Sequence, residues 1–318
     1  MDRRIVLVLV FLGLLAVLLP ALVIGCSQDV DAVEIVNIFA GADCSSPVLV
    51  SVVPESGSVV RLVFDEPVRL YDRASMPFQA RADGKNVYVT LDSTLEPGVQ
   101  TTIEGRVKDL SGNTAGFSVR VWGHNPAVPG ILINEFTTKG SARSPDRTEL
   151  LVLGEGNLNG VVLYAGTPQD HDASLMFSDV DVHEGDLLTV WWTETFPEGA
   201  QTGKNDFCAG CADGLSANNG TLVLCRSPAL GAQVLDAVVY SNFTASQDGF
   251  GTKSAKERAQ WVLENGAWKG EAVDSSTSTA TRSISRNMAG SDTDACTDWF
   301  VTVTGGFSFG SPNTSEAY

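Results

Sequence analysis

The chain is 318 residues long and carries 38 acidic against 21 basic side chains, a formal net charge of −17. So acidic a surface repels phosphate backbones, because nucleic-acid binding depends on Lys and Arg displacing condensed counterions, and no nucleic-acid partner is expected. The length exceeds what one hydrophobic core usually serves and predicts two domains.

The chain opens with Arg3 and Arg4, followed by an apolar run from Ile5 to Ile24 that only glycine and Pro20 interrupt. A charged start, an apolar stretch and small Gly25 before Cys26 make a secretory signal. An uncleaved membrane helix competes with this reading, since the run is near the ~20 residues needed to span a bilayer. Pro20 and the Gly25-Cys26 junction favour cleavage. Leu22-Val23-Ile24-Gly25-Cys26 resembles the lipobox of bacterial lipoproteins. That resemblance implies that Cys26 becomes the N-terminus, with diacylglycerol on its thiol and an acyl chain such as palmitate on its amine. Each buried methylene stabilises attachment by roughly 0.8 kcal/mol, and two or more chains make it durable. Ser27, where an Asp would retain the protein, resembles the outer-membrane sorting pattern of diderm bacteria. Residues 1–25 are therefore expected to be a signal peptide and 26–32 a lipidated tether at the cell envelope.

Strand signals dominate the remainder. The runs 59–64, 86–91, 160–164, 187–192, 220–224 and 236–240 are short, rich in β-branched and aromatic residues, and bounded by Gly, Pro, Asn or Asp. Their spacing predicts an all-β protein of sandwiches or barrels. One helix is predicted, from Ser254 to Asn265. Ser254 would cap it, Glu257 would complete a capping box and Gly266 would close it. Ala255, Ala259, Val262 and Leu263 would be its buried stripe. The Ser- and Thr-rich segment 275–281 reads as a loop. Two prolines and two glycines within 123–130 mark a short, stiff linker.

The two halves carry separate resemblances. Phe64-Asp65-Glu66-Pro67-Val68, then Leu95-Glu96-Pro97-Gly98 with Thr101-Thr102-Ile103-Glu104-Gly105, then Val107-Lys108-Asp109-Leu110-Ser111-Gly112-Asn113 resemble the bacterial Ig-like domain of S-layer and other surface proteins. This assigns residues 33–122 to a spacer or binding module with no catalytic residues. Ile131-Leu132-Ile133-Asn134-Glu135-Phe136, Thr148-Glu149-Leu150-Leu151-Val152-Leu153, Leu235-Asp236-Ala237-Val238-Val239-Tyr240, Ser283-Ile284-Ser285-Arg286, Asp298-Trp299-Phe300 and Gly310-Ser311-Pro312-Asn313 resemble the lamin tail domain, another Ig-like sandwich. It would occupy 131–318. The stretch 197–219 and the helix look like insertions, and the family's usual aromatic before Glu149 is absent. The expected architecture is two tandem Ig-like β-sandwiches, with one short helix inserted in the second.

Several residues invite a chemical reading. Two carboxylates could divide acid and base roles at a separation of about 5–9 Å, which draws attention to Glu135 and Glu149 beside Asn134. In the lamin tail resemblance these residues serve the fold, and no nucleophile or metal set accompanies them, so no catalytic residue is assigned. His124, His171 and His183 are scattered, and no Gly-x-Ser-x-Gly, His-Glu-x-x-His or P-loop sequence occurs. His171, between Asp170 and Asp172, reads as a solvated turn. Asp179, Asp181, Glu184 and Asp186 lack EF-hand spacing, which leaves only a weak, adventitious Ca²⁺ site open. No cofactor is expected. Cys208, Cys211, Cys225 and Cys296 fit either two disulfides, the default outside the cytoplasm, or a Cys₄ zinc site. Cys44 is a buried or reactive spare. Trp191, Trp192, Trp261, Trp268 and Trp299 are read as core aromatics before any carbohydrate-binding face.

The expected function is a non-enzymatic, membrane-anchored scaffold or adhesion module with a protein or carbohydrate partner at the cell surface. The alternative is an exported hydrolase of nuclease or phosphatase type, or its accessory, for which 318 residues leave little room beside two sandwiches.

Overall fold

The computed structural model describes residues 43–72, 78–287, 292–315 and 317–318. Cys26, the signal peptide and the tether lie outside the described residues. No helix among the described residues is long and apolar enough to cross a membrane.

The protein is all-β, built as two sandwiches in tandem. In the first, β1 (Leu49–Pro54), β2 (Val59–Phe64), β5 (Asn86–Thr90) and β4 (Gln79–Asp83) form a sheet in the order β1-β2-β5-β4. It faces a sheet of β3 (Arg69–Leu70), β6 (Gln100–Lys108) and β7 (Thr114–Trp122). β6 buries Ile103, Gly105 and Val107 and exposes the residues between them, the period of two that pleating imposes. Its hairpin to β7 is the Lys-Asp-Leu-Ser-Gly-Asn segment. Buried Asp109 accepts from Asn113 N at 2.7 Å through Oδ1 and from Asn113 Nδ2 at 2.7 Å through Oδ2. Gly112 takes φ +96°, which only glycine adopts without strain.

The second sandwich is larger. One sheet runs β15 (Asp206–Cys208), β14 (Leu187–Trp191), β9 (Arg147–Val152), β8 (Ile131–Phe136), β19 (Ile284–Arg286), β20 (Trp299–Val301). The facing sheet runs β12 (His171–Met176), β11 (Val162–Gly166), β16 (Gly220–Cys225), β17 (Val234–Ser241), β18 (Val273–Asp274). A two-stranded ribbon of β10 (Gly156–Asn157) and β13 (Asp181–Val182) stands beside them. Pairing is antiparallel except at β14–β15 and β17–β18. All six strand runs read from the sequence are strands. The segment 197–219 is more than a loop, since it supplies the edge strand β15.

β16 and β17 are buried almost throughout, because α1 (Lys253–Glu264), the single α-helix among the described residues, covers their outer face. Its cap differs from the sequence expectation. Thr252 Oγ1 accepts from Ala255 N at 3.2 Å, while Ser254 donates to Asp170 Oδ2 at 3.0 Å. The buried stripe narrows to Ala259 and Val262. Leu263 sits a further 100° around the helix and is exposed. Gly266, at φ +70°, closes the helix as expected. Segment 275–281 is a loop whose Ser275 and Ser278 are nonetheless buried, and their carbonyls accept from Lys139 Nζ at 3.3 and 2.9 Å.

The sandwiches are docked on each other. The β16–β17 connection, residues 226–233, reaches into the first sandwich, where Ala229 joins its core. Leu230 O accepts from Val52 N at 2.8 Å, covering the open edge of β1. A Cβ on Gly231 would meet Ser51 Cβ at 2.4 Å, so the approach requires glycine. Segment 123–130 is tied to both sandwiches rather than merely stiff. Asn125 Nδ2 donates to Asn157 O and Asn159 O, both at 3.0 Å, and Gly123 N donates to Val99 O at 3.0 Å.

Candidate functional site

The residues most suggestive of catalysis form a buried clasp. A bulge between Ile133 and Glu135 in the β8–β9 pairing displaces Asn134 from the ladder, and Glu135 then lies opposite Glu149. Both carboxylates are fully buried. Glu135 Oε1 accepts from Ser283 Oγ at 2.5 Å and Ser285 Oγ at 2.9 Å. Its two oxygens share Ser308 N at 3.0 Å, and Oε2 also takes Ser308 Oγ at 3.1 Å. Glu149 accepts from Asn134 Nδ2 at 2.8 Å and Gly310 N at 2.5 Å. Asn313 Nδ2 donates to Asn134 O and to Arg286 O, and Asn313 Oδ1 accepts from Asn134 Nδ2. The Asn-Glu pair, the later Glu, Ser283-Ile284-Ser285 and Gly310-Ser311-Pro312-Asn313 are thus one network that fastens the segment after β20 onto the sheet. Burial pushes the Glu149 carboxyl up to about 7, further raised by Glu135 and opposed by its two donors and Arg147.

Other sequence candidates are likewise engaged. Asp170 and Asp172 clamp Arg258 of α1 through four hydrogen bonds of 2.7–2.9 Å, and Arg258 holds Asp170 down at about 2. His171 is solvent-exposed as expected and packs on the Tyr164 ring at 4.9 Å at the start of β12, while the aspartates on either side of it anchor the helix. Asn157 Nδ2 donates to Asp179 and Asp181 at 2.7 and 2.8 Å.

Cys208, Cys211, Cys225 and Cys296 are unpaired thiols, so neither expected bridge is formed in this structure. Cys225 is buried in the sheet covered by α1, Cys208 ends an edge strand of the opposite sheet, and Cys296 opens a 3₁₀ turn. Among the described residues the four thiols do not gather into a zinc-sized cluster. Burial pushes the Cys225 thiol up to about 12 and raises Cys208 and Cys211. Cys44 is exposed, which removes the buried alternative of the two expected for it.

Two carboxylate groups are close enough to share an ion: Asp43, Glu66 and Asp109, and Asp236, Asp292 and Asp294. In the first, both Asp109 oxygens already hold Asn113. In the second, Arg286 lies 2.8 Å from Asp236 and 2.6 Å from Asp292 and supplies the positive charge itself.

The tryptophans named above are core or half-buried. Trp191 Nε1 donates to Asp206 at 2.8 Å, and Trp192 Nε1 donates to Thr148 at 2.9 Å. Arg147 stacks on Trp191 at 4.8 Å and on Phe309 at 4.0 Å, reinforcing the clasp from outside.

The site that sequence reasoning missed lies between the sandwiches. A cavity of about 350 Å³ is enclosed by β1, the end of β7, the linker and the β16–β17 connection. Val52, Val53, Pro54 and Ala232 give it apolar walls, and half-buried Trp122 an aromatic one. Its polar groups are Arg226, His124, Asn159, Gln233 and Ser227. Arg226 Nη2 donates to Asn125 O at 3.1 Å. Only an arginine beginning a turn and a tryptophan ending a strand hinted at it in the sequence, and neither belongs to a motif.

No curated protein matches the chain. Among solved structures, a DUF4876 family protein from Bacteroides thetaiotaomicron is similar over 74% of this chain and 90% of its own, at 12% identity and a TM-score of 0.35. The family model TP_1001_2nd, described as a protein second domain, matches residues 129–301. That stretch takes in both sheets of the larger sandwich and α1, more than half of the chain, and the protein belongs to this family.

Proposed function

We propose that this is a non-enzymatic binding module of the bacterial cell envelope, lipid-anchored at Cys26 and presenting a bacterial Ig-like sandwich docked to a lamin-tail-like one. The observation that carries the reading is the clasp. Glu135 and Glu149, the carboxylates placed for acid–base work, are buried and saturated by donors from Asn134, Ser283, Ser285, Ser308 and Gly310. A general acid or base needs a substrate proton within hydrogen-bond reach, and here main chain and hydroxyls take that place. The docked linker supports the same reading, since it holds the surfaces of both sandwiches in fixed register. The anchor is tested by Cys26→Ala in the full chain. The variant should keep its leader and shift in mass, gaining residues 1–25 and lacking the acyl chains. A variant that is processed to the same mature mass as the wild type overturns the anchoring.

A further inference from the structure

The interdomain cavity differs electrically from the rest of the molecule. On a chain of net charge −17, no carboxylate is among the residues that line it. Three other surface cavities all carry acid: Glu194, Glu198 and Asp213 in one, Asp172 in a second, Asp236 and Asp294 in a third. The cations there are absent or neutralised, as Arg258 is by Asp170 and Asp172. Arg226 stands apart. Its one side-chain hydrogen bond among the described residues leaves Nη2 for Asn125 O, so the rest of the guanidinium fork meets no acceptor among them.

The neighbours of Arg226 narrow the ligand further. Asn159 and Gln233 bring side-chain amides, each able to donate and accept, and Ser227 a hydroxyl. His124 adds a ring nitrogen pair, and the Trp122 indole a flat apolar wall. A guanidinium fork matches a carboxylate by paired hydrogen bonds. Amides match hydroxyl groups, and an aromatic wall matches the C–H face of a pyranose ring. The volume lies at the small end for ligand sites, and domain interfaces are where such sites concentrate. We propose that the cavity between the two sandwiches binds an acidic sugar, with its carboxylate on Arg226, its hydroxyls on Asn159 and Gln233, and its ring against Trp122. This deepens the reading of the protein as a binding module and rests on it, but not on the lipid, because every lining residue lies in the two sandwiches or the linker between them, far along the chain from Cys26.

The test titrates the detergent-solubilised full chain with glucuronate, with glucose as the neutral sugar and benzoate as a carboxylate without hydroxyls. Calorimetry should show glucuronate saturating at one per chain. Glucose and benzoate should bind at least about tenfold more weakly, the loss expected when one charged hydrogen-bond set goes unmade. Arg226→Gln should weaken glucuronate by about tenfold or more, and Gln233→Ala should weaken it by a smaller factor. Gln233→Ala leaves the Arg226–Asn125 bond in place and so reports on the cavity even if Arg226→Gln loosens the docking. Absence of saturable glucuronate binding overturns the proposal, as does equal affinity for glucose, equal affinity for benzoate, or wild-type affinity in both variants. Each of these results leaves the Cys26 processing test standing, so the two readings fail separately.

Discussion

The two sandwiches solve burial differently. In the smaller one, β6 and β7 alternate between core and solvent, and its core is completed by Ala229, with Ala232 packed against it, from the other sandwich. In the larger one, β16 and β17 are buried on both faces, because α1 roofs one side and the six-stranded sheet fills the other. A half-solvated sheet of modest size has little apolar area in reserve, so borrowing even two alanines matters to it. The larger sandwich needs no such loan and instead stakes its integrity on a buried polar clasp. Dependence therefore runs one way for packing, and the clasp concentrates polar risk in the other half.

The largest effect should come from breaking the clasp. Glu135→Ala leaves Ser283, Ser285 and Ser308 N without their buried acceptor, and should lower stability by about 3–5 kcal/mol in urea unfolding. A loss below about 1 kcal/mol would place the network outside the sources of stability.

Next in size is pH dependence. With the Glu149 carboxyl at about 7 when folded against an ordinary 4.5, the native state holds a proton that the unfolded chain releases. This contribution is fully present below about pH 4.5 and is lost as pH rises through about 7, on the order of 3 kcal/mol. Glu149→Gln should flatten the decline of the urea midpoint between pH 5 and 8; an unchanged slope would assign the decline to another group.

The smallest effect sharpens the one-way packing. Gly231→Val forces a side chain against Ser51 and Val50 O at a backbone angle of +66°, and should cost about 1–3 kcal/mol. Its mark is selective. The smaller sandwich should melt earlier in calorimetry while the larger keeps its transition, and a uniform shift of both would contradict the comparison.

Local pattern made most of the fold readable. The six strand runs, the Asp109–Asn113 hairpin and Gly266 at the helix end are set by residues within a few positions of one another. What escaped was decided at a distance. Ser254 looked like the cap, but Asp170, 84 residues away, takes its hydroxyl and Thr252 caps instead. Glu135 and Glu149 looked chemical because their partners Ser308 and Gly310 lie more than 160 residues on. The cysteines suggested staples by compartment and by place along the chain, whereas the sheets set Cys225 and Cys208 on opposite layers. The cavity was invisible because Trp122 and Arg226 become neighbours only once the sandwiches dock.

That docking also has a mechanical side. A hinge needs a stretch of backbone free to rotate, and Asn125 removes it by holding Asn157 and Asn159 with one amide while its own carbonyl holds Arg226. Torque applied to either sandwich therefore passes through side-chain amides and the 226–233 connection rather than being absorbed by bending at Pro126 and Pro129. The pair turns as a single lever, and whatever sits between the sandwiches feels the motion of both.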